Sequence, residues 1–285
     1  MVFFMNIEHY LNLYSLNING VEHHYEFMPI KNEEIFFQSF TPANPHGTVF
    51  VIHGYFDHSG SMSHLIRFLI KRQLQVITYD LQGHGLSSGP RATIDDFQDY
   101  TDVFQQIYQA KKAEAVGPIH VISHSTGGAI VMDYLLQHDN PFHKVILVSP
   151  LVRSYAWSFS KGGMWVLKPF KSDLKRVFKK NSSNEQYLEF VKQDPLQHDR
   201  VPFAWLQSLI HWNKQIEKFE SSNVKVHVLQ GNQDQTVAWR YNLEWIQRKF
   251  PQMEGYLIDG ANHQVFNENE GLLHCTWTVL ERILK

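Results

Sequence analysis

One cysteine, Cys275, among 285 residues leaves no internal disulfide to form and fits a reducing compartment. Long apolar runs are missing too: no stretch reaches the roughly 18 residues of a spanning helix. The opening MVFFMNIEHY lacks a basic n-region, and Asn6 and Glu8 break its apolar run, so it does not read as a signal peptide. Neither sign of charge dominates. With 26 Lys and Arg against 28 Asp and Glu, the net charge of −2 gives no global pull toward nucleic acid. There are no internal repeats and no low-complexity tail. These absences lead us to expect a soluble, cytoplasmic globular chain, long enough to bury a sizeable core.

What is present is an alternation of short apolar runs and amphipathic segments. Thr48-Val49-Phe50-Val51-Ile52 reads as a buried strand ending at His53-Gly54, and Gln75–Tyr79 as another ending at Asp80 and Gly83-His84-Gly85. Further strands are predicted over 119–122, 144–148, 224–229 and 255–258, and helices over 62–72, 95–112, 127–136, 239–249 and 268–284. Near-continuous apolar strands separated by helices imply a mostly parallel sheet covered on both faces. The first 45 residues, with Asn19-Gly20 as a turn signal, suggest antiparallel strands at one edge.

The alternation lapses once. Residues 151–222 are aromatic-rich without a clear buried strand, and positions 161–180 hold Lys161, Lys168, Lys171, Lys175, Arg176, Lys179 and Lys180 against the single acid Asp173. We expect a helical cap inserted after the sixth strand, over a core formed by residues 1–150 and 223–285. A basic run is most often a solvated helix face. Its interleaving with Met164, Trp165, Val166, Leu167, Phe170 and Phe178 also suits a lid over an apolar pocket, or peripheral contact with anionic lipid.

The chemistry is marked at VISHSTGG, residues 121–128, where an apolar strand turns abruptly into small residues. Ser123-His124-Ser125-Thr126-Gly127 resembles the G-x-S-x-G nucleophile elbow, with serine at the first glycine position. Serine is small enough for strand and helix still to approach. Ligands of open parallel sheets gather at the carboxyl ends of the strands. Three such ends carry Ser125, Asp234 (in QGNQD, 230–234) and His263 (in DGANH, 259–263). A serine hydroxyl needs an imidazole to take its proton, and the imidazole needs a carboxylate to fix its tautomer. The chain order Ser, Asp, His is that of α/β-hydrolases. Two backbone donors are needed for the developing oxyanion. We expect Thr126 N–H, directly after the nucleophile, and Tyr55 N–H from the loop after residue 52.

HGYFDHSG (53–60), YDLQGHGLSSGPR (79–91), SHSTGG (123–128), QGNQDQTV (230–237) and GANHQVFNE (260–268) together resemble the monoacylglycerol lipase/lysophospholipase (serine aminopeptidase S33-like) group of α/β-hydrolases. The match runs from about residue 47 to the C-terminus. It implies Ser125 as nucleophile, Asp234 as acid, His263 as base, Tyr55 and Thr126 as oxyanion donors, an acyl ester substrate, and no cofactor or metal. Two departures are Ser123 for glycine and Gln82 where an arginine usually precedes the G-H-G turn.

Competing readings stay open at this level. Asp57, Asp80 and Asp259 also sit near strand ends, where an aspartate can simply cap a loop. His53, His84 and His124 are expected to be structural, with His124 pointing away from the nucleophile. His53-Gly54-Tyr55-Phe56-Asp57-His58 superficially matches H-x-H-x-D-H of metallo-β-lactamase-type hydrolases, but Tyr55 replaces the second ligand. Other ester, thioester or amide hydrolysis on the same triad is an alternative activity. A non-catalytic binding protein is another.

Overall fold

Period-two side-chain alternation decides how the sheet is covered. In Thr48–Ile52, Val49 and Val51 point into one apolar cluster, and Phe50 and Ile52 into the other. The strand is therefore buried on both faces and needs a helical layer on each. The computed structural model describes residues 5–285, except for the side chains of Phe159, Ser160 and Met164. The start of the leader reading and the apolar position at Met164 thus lie outside the described residues.

The strands are β1 (Val21–Ile30), β2 (Glu33–Pro42), β3 (Gly47–Ile52), β4 (Leu74–Tyr79), β5 (Ile119–His124), β6 (Lys144–Val148), β7 (Asp173–Lys175), β8 (Arg200–Pro202), β9 (His227–Gly231) and β10 (Glu254–Ile258). Eight form one sheet in the order β1-β2-β4-β3-β5-β6-β9-β10. β4 through β10 in that row run parallel, while β1 and β2 are antiparallel. The helices are α1 (Ile7–Leu13), α2 (Ser63–Ile70), α3 (Gln98–Lys111), α4 (Thr126–Gln137), α5 (Trp157–Leu167), α6 (Glu185–Gln193), α7 (Phe203–Ile216), α8 (Trp239–Lys249) and α9 (Glu270–Leu284). Tyr10 of α1, Leu65 and Ile66 of α2 and Leu280 of α9 pack on the face carrying Val49. Phe104 of α3, Ile130 of α4, Trp212 of α7 and Trp245 of α8 pack on the face carrying Phe50. Each such buried side chain contributes on the order of 1.5–3 kcal/mol relative to exposure.

The edge hairpin differs from the expectation in its turn. Asn19-Gly20 does make a turn, closed by Val21 N–H to the Ile18 carbonyl (3.3 Å), but it leads into β1. The β1–β2 reversal falls at Lys31-Asn32, with Lys31 at φ +55°. α1 had no sequence signal. Its seven residues are held by the Asn6 cap and by burial of Tyr10.

Between β6 and β9 the chain leaves the sheet for α5, α6, α7 and the exposed ribbon β7–β8. This excursion is tied to the sheet's helices by buried polar contacts. Trp212 Nε1 donates to Asp133 of α4 at 2.9 Å. His58 Nε2 lies 2.9 Å from Asp194 Oδ2, while the Tyr14 hydroxyl donates to Asp194 Oδ1 at 2.7 Å. Burial disfavours both charged forms, yet mutual attraction wins, raising the His58 pKa and lowering that of Asp194. Among the described residues, no helix is long and apolar enough to cross a membrane.

Candidate active site

Ser125 sits between β5 and α4 at φ +52°, ψ −112°, a conformation that costs a non-glycine residue on the order of 1–3 kcal/mol. Neighbouring backbone holds it there. Ser125 N–H donates to the Val148 carbonyl at 2.9 Å, and its own carbonyl accepts from Ala129 (3.2 Å) and Leu151 (3.0 Å). The turn also needs bare positions around it. A Cβ on Gly127 would lie 2.6 Å from the Ile52 carbonyl oxygen, and one on Gly54 would lie 2.9 Å from Ser125 Cβ. Gly128 is kept bare by Pro150, whose Cβ would lie 3.0 Å from an added Cβ, while Ser123 Oγ would stand at 3.9 Å, an ordinary contact, so serine at 123 fits without crowding the helix.

The loops carrying Asp234 and His263 meet for a similar reason. Gly231, ending β9, runs so close to the loop after β10 that a Cβ would fall 2.4 Å from the Ala261 carbonyl oxygen. Gln233 N–H donates to that carbonyl at 2.9 Å. Asp234 Oδ2 then lies 2.7 Å from His263 Nδ1. Its Oδ1 accepts from the N–H groups of Thr236 (2.7 Å) and Val237 (3.1 Å), and Gln230 Nε2 donates to Oδ2 at 3.1 Å. Burial opposes ionisation of Asp234, but the His263 partnership and these donors outweigh it and lower its pKa.

Ser125, Thr126, Tyr55 and His263 line one cavity of about 780 Å³, a size in the range of small-ligand sites. Ser125 and His263 share this cavity without a hydrogen bond between Oγ and the ring; such contacts often tighten only with substrate present. Thr126 N–H opens α4, where backbone donors have no intrahelical acceptor. The Tyr55 ring stacks on Trp205 of α7 with centroids 3.7 Å apart, and its hydroxyl donates to the Ala92 carbonyl at 2.7 Å. That pins the loop carrying Tyr55 N–H against both the core and α7.

The rival aspartates have other partners. Buried Asp80 accepts from Ser59 N–H (2.7 Å) and Leu86 N–H (2.8 Å), closing loops. Asp259 accepts from Asn232 at 2.7 Å. Asp57 accepts from Gln264 Nε2 at 3.2 Å and lies 3.5 Å from His124 Nδ1. Burial pushes Asp57 upward, but His124 overrides it and holds the carboxyl at about 2. His53 accepts Leu81 N–H at 2.9 Å, and burial lowers its pKa; burial holds His84 at about 3. His124 is not idle: its Nε2 is 3.1 Å from the His263 carbonyl oxygen, so it braces the His263 loop from behind. Sequence reasoning had not singled out this brace, Trp205, or Glu268, which accepts from Asn262 Nδ2 at 3.1 Å and also bonds Ser183.

Comparison with known proteins fits this arrangement. The family model for serine aminopeptidase, S33, matches residues 43–270. The chain is 25% identical over 249 residues to a monoglyceride lipase homolog of Monkeypox virus, spanning 85% of this chain and 90% of that one. It is 36% identical over 111 residues to human monoglyceride lipase, a match covering 39% of this chain and 37% of that protein. The fold superposes with TM-score 0.78 on a soluble variant of monoglyceride lipase from Saccharomyces cerevisiae, at 20% identity over 94% of this chain and 96% of that one. The mostly parallel sheet, its helical layers and the matched family model agree: the chain belongs to the serine aminopeptidase S33 family of α/β-hydrolases.

Proposed function

We propose that the protein hydrolyses carboxylic esters of monoacyl lipids, monoacylglycerol or lysophospholipid in type, through an acyl-enzyme on Ser125. The observation that carries this reading is the 2.7 Å contact between His263 Nδ1 and Asp234, on the wall of the cavity into which the strained Ser125 turn opens. His263 takes the Ser125 proton as Oγ attacks the acyl carbon, and Asp234 keeps the ring's Nδ1 protonated so that Nε2 is the acceptor. Tyr55 and Thr126 N–H receive the oxyanion. The proton then passes from His263 to the leaving alcohol, and water, activated by the same ring, releases the acid. Leu206, Leu188, Val191 and Phe203 supply apolar wall for an acyl chain.

In this reading residues 151–222 act as a cap. Trp165, Val166, Phe170 and Val177 are exposed there, Phe170 at 84%, among the lysines of the same stretch. Such a surface suits peripheral contact with anionic lipid, and exposed, unpaired Cys275 suits a reducing compartment such as the cytoplasm. Purified protein assayed on p-nitrophenyl esters, monoacylglycerols, lysophospholipids and aminoacyl amides tests the activity. Turnover of the monoacyl esters, absent in Ser125→Ala, is expected; turnover of the amides alone would overturn the ester reading. Co-sedimentation with phosphatidylglycerol vesicles, lost in Phe170→Asp, is the corresponding result for the surface.

A further inference from the structure

The cavity wall carries charge that the triad chemistry does not use. Lys175, Arg176, Lys179, Lys180 and Lys192 line it, against the carboxylates of Asp57 and Glu185. Lys192 is paired with Glu189 at 3.0 Å, and Asp57 is engaged by His124 and Gln264. Among the described residues, Lys175, Arg176, Lys179 and Lys180 have no carboxylate within ion-pair distance.

Arg176 is the most constrained of these. It follows β7, and its guanidinium lies 4.2 Å from the Phe56 ring centre and 4.6 Å from that of Phe178. Nη1 donates to Gln197 Oε1 at 2.6 Å and to the His198 carbonyl at 3.3 Å, both neutral acceptors. The other carboxylate near enough to influence it, Asp194, is held by His58 and Tyr14. Phe56 directly follows Tyr55, so the guanidinium is braced one residue from the expected oxyanion donor. Burial opposes the Arg176 charge more than the Asp57 and Asp194 carboxylates, both beyond ion-pair distance of it, support it, and an anionic ligand in direct contact offsets the remaining cost. A guanidinium backed by aromatic rings is weakly hydrated and presents N–H pairs matched to phosphate oxygens; flanking ammonium groups add charge without direction.

We infer that the cavity selects a phosphate-bearing, net-anionic monoacyl ester, with the phosphate against Arg176 and the Lys179 and Lys180 ammonium groups while the acyl carbon meets Ser125. This rests on the reading of Ser125 as the nucleophile. It names a lysophospholipid with an anionic headgroup as the preferred substrate over a neutral monoacylglycerol.

The test compares 1-octanoylglycerol with 1-octanoylglycerol 3-phosphate, both below their micelle concentrations so that surface attraction plays no part. For the full chain, kcat/KM is expected to be at least about tenfold higher for the phosphate ester, the scale of one charge-assisted hydrogen-bonded pair. Glycerol 3-phosphate should inhibit hydrolysis of the neutral ester competitively, and glycerol should not. Arg176→Gln should bring the substrate ratio toward one, with Arg176→Lys between. Should Arg176→Gln fail to fold, the Lys179→Gln/Lys180→Gln double variant is expected to lower the ratio and weaken glycerol 3-phosphate inhibition. A wild-type ratio near one, a ratio untouched by the variants, or a preference seen only with micelles or vesicles would overturn the headgroup assignment while leaving ester hydrolysis standing. Turnover of neither substrate by folded protein would overturn both.

Discussion

Replacing Asp234 by asparagine perturbs chiefly one proton. Oδ1 accepts two backbone N–H groups, from Thr236 at 2.7 Å and Val237 at 3.1 Å, so an amide must place its oxygen there. Its NH2 then faces His263 Nδ1, across the 2.7 Å gap now bridged from the ring. Two donors cannot share that contact, and the imidazole must move its hydrogen to Nε2, the nitrogen that accepts the Ser125 proton in the proposed mechanism. Gln230 Nε2 donates both to Oδ2 at 3.1 Å and to the Gly231 carbonyl at 2.9 Å; the asparagine NH2 removes the first acceptor, and an amide flip would set the Gln230 oxygen against the Gly231 carbonyl, so the change should also cost about 1 kcal/mol of stability. The expected loss in kcat is roughly 10³- to 10⁴-fold, or about 4–5 kcal/mol of transition-state stabilisation. Steady-state hydrolysis of p-nitrophenyl butyrate, with a thermal melt alongside, measures both quantities. An Asp234→Asn protein that remains folded and keeps kcat within tenfold would refute the assignment of Asp234 and the tautomer argument with it.

Two further outcomes are expected. Ser123 Oγ is buried without a hydrogen-bond partner among the described residues, so Ser123→Ala should raise stability by about 1 kcal/mol, roughly 2 °C in Tm, and leave turnover within threefold; a lower Tm in differential scanning calorimetry would show that the hydroxyl is satisfied. The His58–Asp194 contact should make stability pH-dependent. The lowered Asp194 pKa contributes above its unfolded value of about 3.9 and is lost as pH falls through the folded one; the raised His58 pKa contributes below its unfolded value of about 6.5 and is lost as pH rises through the folded one. The stability gap between wild type and Asp194→Asn, about 1–3 kcal/mol, should therefore peak between roughly pH 4 and 6.5 and narrow on both sides; a gap flat from pH 3.5 to 9 would contradict the pairing.

The sheet was legible in the sequence because buried parallel strands carry unbroken apolar runs with sharp ends. The run 144–148 and the helix 239–249 stand where periodicity puts them. β9 begins three residues later than expected, since its pairing with β6 starts only at His227. α1 escaped notice because a seven-residue segment of mixed polarity owes its helix to the packing of Tyr10 and Tyr14, not to its own pattern. For the same reason, loop order could single out Asp234 and His263, but not Asp194, which meets His58 across 136 positions. Nor does a basic run reveal which of its members is solvated and which, like Arg176, is packed between rings. Such distinctions arise from tertiary contacts between segments that carry no local signature.

The central claim is that Ser125 Oγ is acylated. Incubating folded protein with a fluorophosphonate and locating the adduct by peptide mass spectrometry addresses it directly. The account predicts one modification, on Ser125, blocked by prior incubation with a monoacyl ester and absent from folded Ser125→Ala. A folded wild type that takes up no label, or a Ser125→Ala protein labelled as fully as wild type, would contradict it.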